Sequence, residues 1–298
     1  MQVFSFILVS ALRTKIKTFK SNKDNVMILA RLLPKDSKKY QSIRYSIGKY
    51  SEFLDKYNIT HFFGIWTMTI SGYSYLLGQI DRYSYWDWSG YTNGTTRLLL
   101  ATILFSLLSQ KGIWAINNKR LSYFDLIIHG IFGGVFFLIG AIDLSVLEIN
   151  IIGMMPYIFS FTGAIIIYQF RISYDLEKDE WEIDSWNNKN SYLLISFGLM
   201  VFSTIIGFQL DDPIISTVSM VALFFPAVAY LWPDHIRHIK RLQFYPLFIL
   251  AMFACVRAPW FLIILGLLFY LIRSINYLKY GIIYPSFGVA QEETLSDV

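Results

Sequence analysis

The chain has 298 residues, of which 55% are hydrophobic and only 16% are charged, and its mean hydropathy is +0.45. Soluble domains carry about 25% charged residues, so this composition excludes a typical water-soluble enzyme. Its 25 Phe, 20 Tyr and 8 Trp exclude a disordered chain, since disordered segments are poor in aromatic residues. The single cysteine, Cys255, excludes an intrachain disulfide and a cysteine-rich zinc site.

The first 60 residues are strongly basic. They carry 12 Lys and Arg against four Asp and Glu, a net charge of +8, and the whole-chain charge of +5 leaves −3 for the rest. Such a segment is attracted to anionic lipid headgroups, so we predict a cytoplasmic and interfacial leader over 1–60 and no nucleic-acid partner. Residues 1–12 are too short to span a bilayer, and residues 26–34 predict a short amphipathic segment that ends at Pro34.

Six segments of the chain are long and apolar enough to cross a membrane. A transmembrane helix needs about 20 apolar residues, because every backbone polar group must be hydrogen-bonded inside the segment. Four of the six are uncharged, and two carry ionisable residues near their ends, where a side chain reaches the headgroups. The uncharged segments are 61–80, 151–170, 192–210 and 214–232, and the other two are 98–116 and 121–142.

The last apolar stretch is interrupted by Arg257, which separates Phe244–Val256 from Ala258–Ile272. Two arrangements are open: one long broken helix with Arg257 at membrane depth, or a hairpin of two short helices with Arg257 at its tip. The hairpin is favoured because it returns the basic residues after Ile272 to the side of the leader. It gives eight membrane elements in all.

The loop charges predict the orientation of the spans. Basic residues concentrate in alternate loops, on the side of the leader, whereas the opposite loops carry mainly acids. By the positive-inside rule the N-terminus is cytoplasmic. We therefore predict an all-α polytopic transmembrane bundle at 61–284, with six secure spans and eight membrane elements, in the inner or plasma membrane. A polar C-terminal tail follows at 285–298.

The most acidic segment follows the predicted span 151–170 on the cytoplasmic side. It places six carboxylates within residues 175–184, and these repel one another unless they are hydrated or bind cations. If the preceding helix continues, Asp175 and Asp179 project from one face, four residues apart. Two such carboxylates suit a magnesium ion that bridges to a diphosphate. A hydrated charged loop at the end of a helix is the alternative interpretation.

The segment 233–241 offers a second polar group on the same predicted side. His235 and His238 have a spacing at which two imidazoles can ligate a metal, and Arg237 and Arg241, one helical turn apart, can hold a phosphate. A positively charged anchor at a helix end is the alternative interpretation.

Two short motifs resemble those of a known family. The run 171–179 is similar to the second aspartate motif, D-x-x-x-D, of the UbiA-type intramembrane prenyltransferases. The run 117–125 is similar to the family's first motif, N-D-x-x-D-x-x-x-D, with Asn118 and Leu121 in place of two aspartates. The resemblance implies an enzyme that transfers a prenyl group from an isoprenoid diphosphate to a lipophilic acceptor, with Mg²⁺ as cofactor.

The resemblance also implies roles for individual residues. Asp175 and Asp179 are the implied catalytic residues, which hold magnesium and the prenyl diphosphate, and Asp125 is a further implied metal ligand. The implied substrate-binding residues are Asn117, Lys119, Arg120, Arg171, Arg237 and Arg241.

A second hypothesis is a non-catalytic membrane subunit, or an assembly partner of a larger membrane complex. Its basis is the incomplete first motif and the basic leader, which a minimal enzyme does not need. Such a protein would use the leader to dock on lipid or on a neighbouring protein.

Overall fold

The computed structural model describes residues 27–56, 61–111, 113, 122–143, 150–169, 172–175, 180–183 and 188–280. Its described part is almost entirely helical, with one short antiparallel strand pair. The helices are α1 (Ile28–Leu32), α2 (Lys38–Lys56), α3 (Phe62–Ile80), α4 (Tyr91–Gln110), α5 (Tyr123–Ala141), α6 (Ile151–Ile165), α7 (Lys189–Gln209), α8 (Pro213–Ala222), α9 (Phe224–Leu231), α10 (Ile236–Ala254) and α11 (Trp260–Tyr280). A 3₁₀ turn, Ile166–Gln169, extends α6, and the strands are β1 (Ile172–Asp175) and β2 (Glu180–Ile183).

Side-chain caps mark where several of these helices begin. Ser122 and Asp125 form a capping box at the start of α5, and the Asn150 side chain accepts the backbone N–H of Gly153 in α6. Asp212 caps α8, which also has proline at its first position. The sequence thus sets these helix starts locally, independently of tertiary packing.

Among the described residues, three helices are long and apolar enough to cross a membrane: α5, α7, and the continuous pair α8–α9 over Pro213–Leu231. The apolar helices Ile151–Ile165, Phe244–Ala254 and Trp260–Ile275 are shorter. Large apolar side chains are exposed along the outside of the bundle, as lipid contact requires. Examples are Leu99, Leu100, Ile103 and Leu107 on α4, Ile127 and Ile131 on α5, and Phe202, Ile205 and Phe208 on α7.

Helix α3 packs against α4, α5 and α10, and small residues bring it close to α5. A Cβ atom on Gly72 would lie 2.0 Å from the carbonyl oxygen of Phe137, and one on Gly140 would lie 1.8 Å from that of Thr69. Only glycine permits such an approach of two backbones. Close contact through small residues is how helices associate in a membrane, where lipid removes the hydrophobic driving force.

Hydroxyl groups join α6, α7 and α8. The Ser196 hydroxyl donates to the carbonyl of Gly163 at 2.7 Å, and the Ser203 hydroxyl lies 2.6 Å from both the Pro156 carbonyl and the Ser219 hydroxyl. Interhelical hydrogen bonds of this kind are also typical of membrane bundles.

The stretch around Arg257 is a helical hairpin, as favoured from the loop charges. In one continuous helix, Phe248 and Phe269 would be about 31 Å apart, because each residue rises 1.5 Å. Their ring centroids are 6.0 Å apart, so the chain reverses between α10 and α11. The broken-helix alternative is excluded.

The acidic segment does not continue as a helix, so the condition under which Asp175 and Asp179 would project from one helix face is not met. The 3₁₀ turn ends at Gln169, and Asp175 is the last residue of β1, paired with Glu180 of β2. The physical reason is the alternation of apolar and polar residues over 172–175 and 180–183, which is the period of a strand and not of a helix. Asp179 lies outside the described residues.

The part of the leader that the structure describes is bound to the end of α11. The Tyr40 hydroxyl donates to the carbonyl of Tyr277 at 3.0 Å, and the Tyr277 hydroxyl donates to that of Leu33 at 2.7 Å. The predicted short segment before Pro34 is present as α1. Residues 1–12 and 285–298 lie outside the described residues.

Candidate functional site at the leader end

The helices α5, α7 and α10 all begin at one end of the bundle, which also carries the leader and which we call the leader end. The hydroxyls of Tyr123 and Tyr192 are in contact and join the starts of α5 and α7. Lys189, at the start of α7, forms an ion pair with Asp234, which precedes α10. Three helix N-termini, each with a partial positive charge, therefore meet at this end.

The three N-termini differ in how their amides are satisfied. The amides of α5 are capped by Ser122, and the Asp125 carboxylate accepts hydrogen bonds from the Ser122 amide at 3.0 Å and from its hydroxyl at 2.7 Å. Neither Asn188 at the start of α7 nor His235 at the start of α10 makes a side-chain cap. The first turns of α7 and α10 thus keep amide donors that an anion can use.

Titratable side chains surround the start of α10. The rings of His235 and His238 have centroids 4.4 Å apart, and Trp232 lies 5.9 Å from His238 on its other flank. Burial lowers the pKa of His238 below its ordinary value, and the neighbouring His235 and Arg241 lower it further. The Arg241 side chain is exposed. The region therefore carries fixed positive charge beside an imidazole that resists protonation.

The structure brings only part of the predicted site together. Asp175 lies in the strand pair, and β2 packs against α10, which carries Arg237 and Arg241 in its first two turns. Asp125 lies at the same end, at the start of α5. The other predicted residues, Asn117, Lys119, Arg120, Arg171 and Asp179, lie outside the described residues.

Only one of the two predicted magnesium carboxylates of the acidic segment, Asp175, lies within the described residues. Among them, no group of three or more His, Cys, Asp or Glu side chains is placed to hold a metal ion. The Asp125 carboxylate belongs to the capping box, so its oxygens already serve the helix. The magnesium role of Asp175 and Asp179 stays a prediction.

Sequence reasoning missed the role of the Arg97 side chain. Its Nη1 donates to the carbonyls of Ile139, Gly140 and Ile142 at 2.8–2.9 Å, and its Nε donates to Asn93 at 2.9 Å. With only 6% of the residue exposed, this guanidinium caps the C-terminus of α5. The spacing of Asn93 and Arg97, four residues apart on one helix, is a signal that marks the pair in advance.

Arg257 also donates hydrogen bonds to backbone carbonyls, in α3 and in the loop that follows it. It is 3% exposed, and it donates to the carbonyls of Ser74 at 3.2 Å and Arg82 at 3.1 Å, while its guanidinium carbon lies 5.6 Å from the ring centre of Tyr85. A Cβ atom at position 78 would lie 2.0 Å from Nη1, which explains Gly78. The arginine at the tip of the hairpin is therefore buried against the loop 81–90.

A cavity of about 300 Å³ lies between α3, α5 and α6, at the end of the bundle opposite the leader end. Its apolar wall includes Leu138 and Met154, and its polar wall includes Tyr75, Asp143 and Asn150. The Tyr75 hydroxyl donates to the carbonyl of Asn150 at 3.4 Å. None of the predicted site residues lines this cavity.

Comparisons of the chain with known protein families, with curated proteins and with solved structures found no match. The function is therefore argued from the geometry of the leader end.

Proposed function

We propose that the chain is a multi-pass protein of the inner or plasma membrane, with a cytoplasmic N-terminus, six spans and eight membrane elements. Three candidate spans, the lipid-type packing of α3 on α5, and the exposed apolar face of α4 support this proposal. The described part of the basic leader, 27–56, lies at one end of the bundle, and the positive-inside rule favours a cytoplasmic position for that end.

We further propose that the leader end binds an isoprenoid diphosphate and that the protein transfers its prenyl group to a lipophilic acceptor. The observation that carries this proposal is the pair of helix N-termini without side-chain caps, α7 and α10, which Lys189 and Asp234 hold together. Backbone amides and the helix dipole stabilise phosphate oxygens at such ends. Arg241 adds a donor of the kind that binds phosphate in a bidentate manner.

The apolar surface of the bundle suits the rest of the ligand. An isoprenoid chain is as apolar as the lipid that contacts the helices, so its diphosphate lies at the leader end while its tail stays in the bilayer. Magnesium would assist the departure of diphosphate, with Asp175 and Asp179 as its proposed ligands. Binding of the diphosphate itself is assigned to the amides and basic side chains.

Binding of farnesyl diphosphate to the full chain in lipid nanodiscs tests the first part of the proposal. We expect Arg237→Gln/Arg241→Gln to weaken binding at least tenfold, because each lost contact between a charged donor and phosphate contributes about 1.5–3 kcal/mol. Arg82→Gln, at the opposite end, is the matched control and should bind as the unmodified chain does. Farnesol, which lacks the diphosphate, should bind much more weakly, and equal binding of the two ligands would contradict the proposal.

Transfer of radiolabel from farnesyl diphosphate into a total membrane-lipid extract tests the second part. We expect magnesium-dependent transfer, lost in Asp175→Asn and in Asp179→Asn. Full transfer in both variants would remove the proposed roles of these carboxylates. Tight binding without transfer by the unmodified chain would refute the enzyme and leave a diphosphate-binding membrane protein.

A non-catalytic membrane subunit is the second candidate function, and the fixed leader favours it. The hydrogen bonds from the Tyr40 hydroxyl to the Tyr277 carbonyl and from the Tyr277 hydroxyl to the Leu33 carbonyl hold the described part of the leader on α11, as a docking element requires. Isolation of the chain from its native membrane with a stoichiometric protein partner, together with no transfer activity, would support this function. Isolation as a single active chain would exclude it.

A further inference from the structure

The leader presents apolar and basic side chains outward on the same short stretch. On α1, Ile28 and Leu32 are 67% and 74% exposed, while Ala30 is buried. Arg31 lies between the two exposed apolar residues and is itself exposed. Exposed apolar residues this close to a cation are unfavourable in water but suit a lipid interface, where the apolar part enters the acyl region and the charge meets headgroups.

The basic character continues beyond α1. Lys35, Lys38 and Lys39 are all exposed, so the stretch 28–39 holds four exposed cations, with Asp36 as its one acid. Tyr40, the next residue, is buried against α11. The cations therefore lie next to a fixed point on the bundle.

The position of that fixed point sets the level of the stretch relative to the bilayer. The apolar part of α11 ends at Ile275, and the contact with the leader is made at Tyr277. Two residues of helix correspond to about 3 Å along its axis. The leader is thus held where α11 leaves the hydrocarbon core and enters the headgroup region.

We infer that Ile28, Arg31, Leu32, Lys35, Lys38 and Lys39 form a docking surface for the anionic phospholipids of the leaflet in which α11 ends. The cations complement negatively charged headgroups, and the exposed apolar residues enter the adjacent acyl region. This surface is separate from the proposed diphosphate site, and the inference holds whether or not the protein transfers a prenyl group.

A fluorescent reporter on the full-length chain tests the inference. Leu32→Cys is labelled with an environment-sensitive fluorophore, and the native Cys255 is 2% exposed and does not compete. The protein is placed at one copy per nanodisc in neutral or partly anionic phospholipid that contains a spin-labelled quenching lipid. We expect at least threefold stronger quenching in the anionic discs, and a loss of this difference at high salt, because salt screens the headgroup charge.

Charge variants provide the matched control. Replacement of Arg31, Lys35, Lys38 and Lys39 by glutamine should abolish the difference between the two lipids. The variant with Arg31→Lys and the three lysines replaced by arginine keeps the charge and should retain it. An unchanged thermal unfolding midpoint shows that each variant is folded.

Two results would overturn the inference. Equal quenching in neutral and anionic discs would show that the stretch does not recognise headgroup charge. Protection of the reporter from the quencher that requires two copies per disc would assign the surface to a second copy of the chain.

Discussion

Replacement of Arg97 by methionine tests whether a buried arginine that caps a helix stabilises this bundle. The two hydrogens of Nη1 are shared among the carbonyls of Ile139, Gly140 and Ile142, so we count two full hydrogen bonds. A hydrogen bond to a charged group contributes about 1.5–3 kcal/mol. Methionine occupies a similar space without a donor, so the expected loss in free energy of unfolding is about 3–6 kcal/mol.

The measurement is a titration of the protein in mixed micelles with sodium dodecyl sulfate, followed by tryptophan fluorescence. Arg82→Met is the control, because the ion pair of Arg82 with Asp211 is partly exposed to solvent, with side-chain exposures of 38% and 64%. Exposed ion pairs contribute about 0–1 kcal/mol. We therefore expect Arg97→Met to lower the free energy of unfolding by several times the effect of Arg82→Met.

A third variant separates the effect of the lost capping hydrogen bonds from the effect of the lost charge. Arg97→Lys keeps the cation but loses the fork that reaches Asn93 and the carbonyls together, so its expected effect lies between those of Arg97→Met and Arg82→Met. Equal and small losses, below about 1 kcal/mol, in Arg97→Met and Arg82→Met would refute the reasoning, since they would mean that water or another donor satisfies the end of α5.

Two further predictions concern packing and protonation. Gly72→Ala should lower the free energy of unfolding by about 1–3 kcal/mol, because its methyl group would overlap the Phe137 carbonyl. Gly134→Ala, with open space around it, should be neutral or should raise that free energy by up to about 1 kcal/mol. The same detergent titration measures both variants, and equal effects would contradict the assigned contact. His238 should take up its proton at a lower pH than a free histidine, since burial and neighbouring cations disfavour the charged ring. Arg241→Gln should raise that midpoint in an NMR titration, and a lowered midpoint would contradict the assigned charge effect.

Three predicted spans recur as helices with nearly the predicted bounds. Residues 121–142, 192–210 and 214–232 appear as α5, α7 and the pair α8–α9. This success has a simple cause: a long uncharged apolar run can satisfy its backbone inside a bilayer only as a helix. The argument needs no knowledge of neighbouring helices, so the sequence alone supports it.

The segments 61–80 and 151–170 show where that argument is incomplete. Helix α3 has the predicted length. It carries buried hydroxyl residues such as Thr67 and Ser71, however, and it is not among the described helices that are apolar enough to count as candidate spans. Helix α6 ends at Ile165, and the chain tightens into a 3₁₀ turn before the strand pair. A count of charges detects neither helix packing through small residues nor an early helix end.

The acidic segment shows a different limit. The Asp-x3-Asp spacing suits one face of a helix, although the residues beside it alternate between apolar and polar, as in a strand. The register pairs Tyr174 with Trp181 and Ile172 with Ile183, so residues of the types that favour strands are opposite one another. The alternation is present in the sequence, but the helical interpretation of Asp175 and Asp179 extends the preceding apolar span and does not use it.

The two ends of the bundle differ in how the partial charges of the helix ends are compensated. At the end opposite the leader, the buried guanidinium of Arg97 neutralises the negative C-terminus of α5, and that of Arg257 donates to the carbonyls of Ser74 in α3 and of Arg82 just beyond it. At the leader end, α5 has its own carboxylate cap, but α7 and α10 do not. The helix charges are therefore compensated internally at one end and left partly available at the other. This difference supports the proposal that an anion such as a diphosphate binds at the leader end, which also carries the described part of the basic leader.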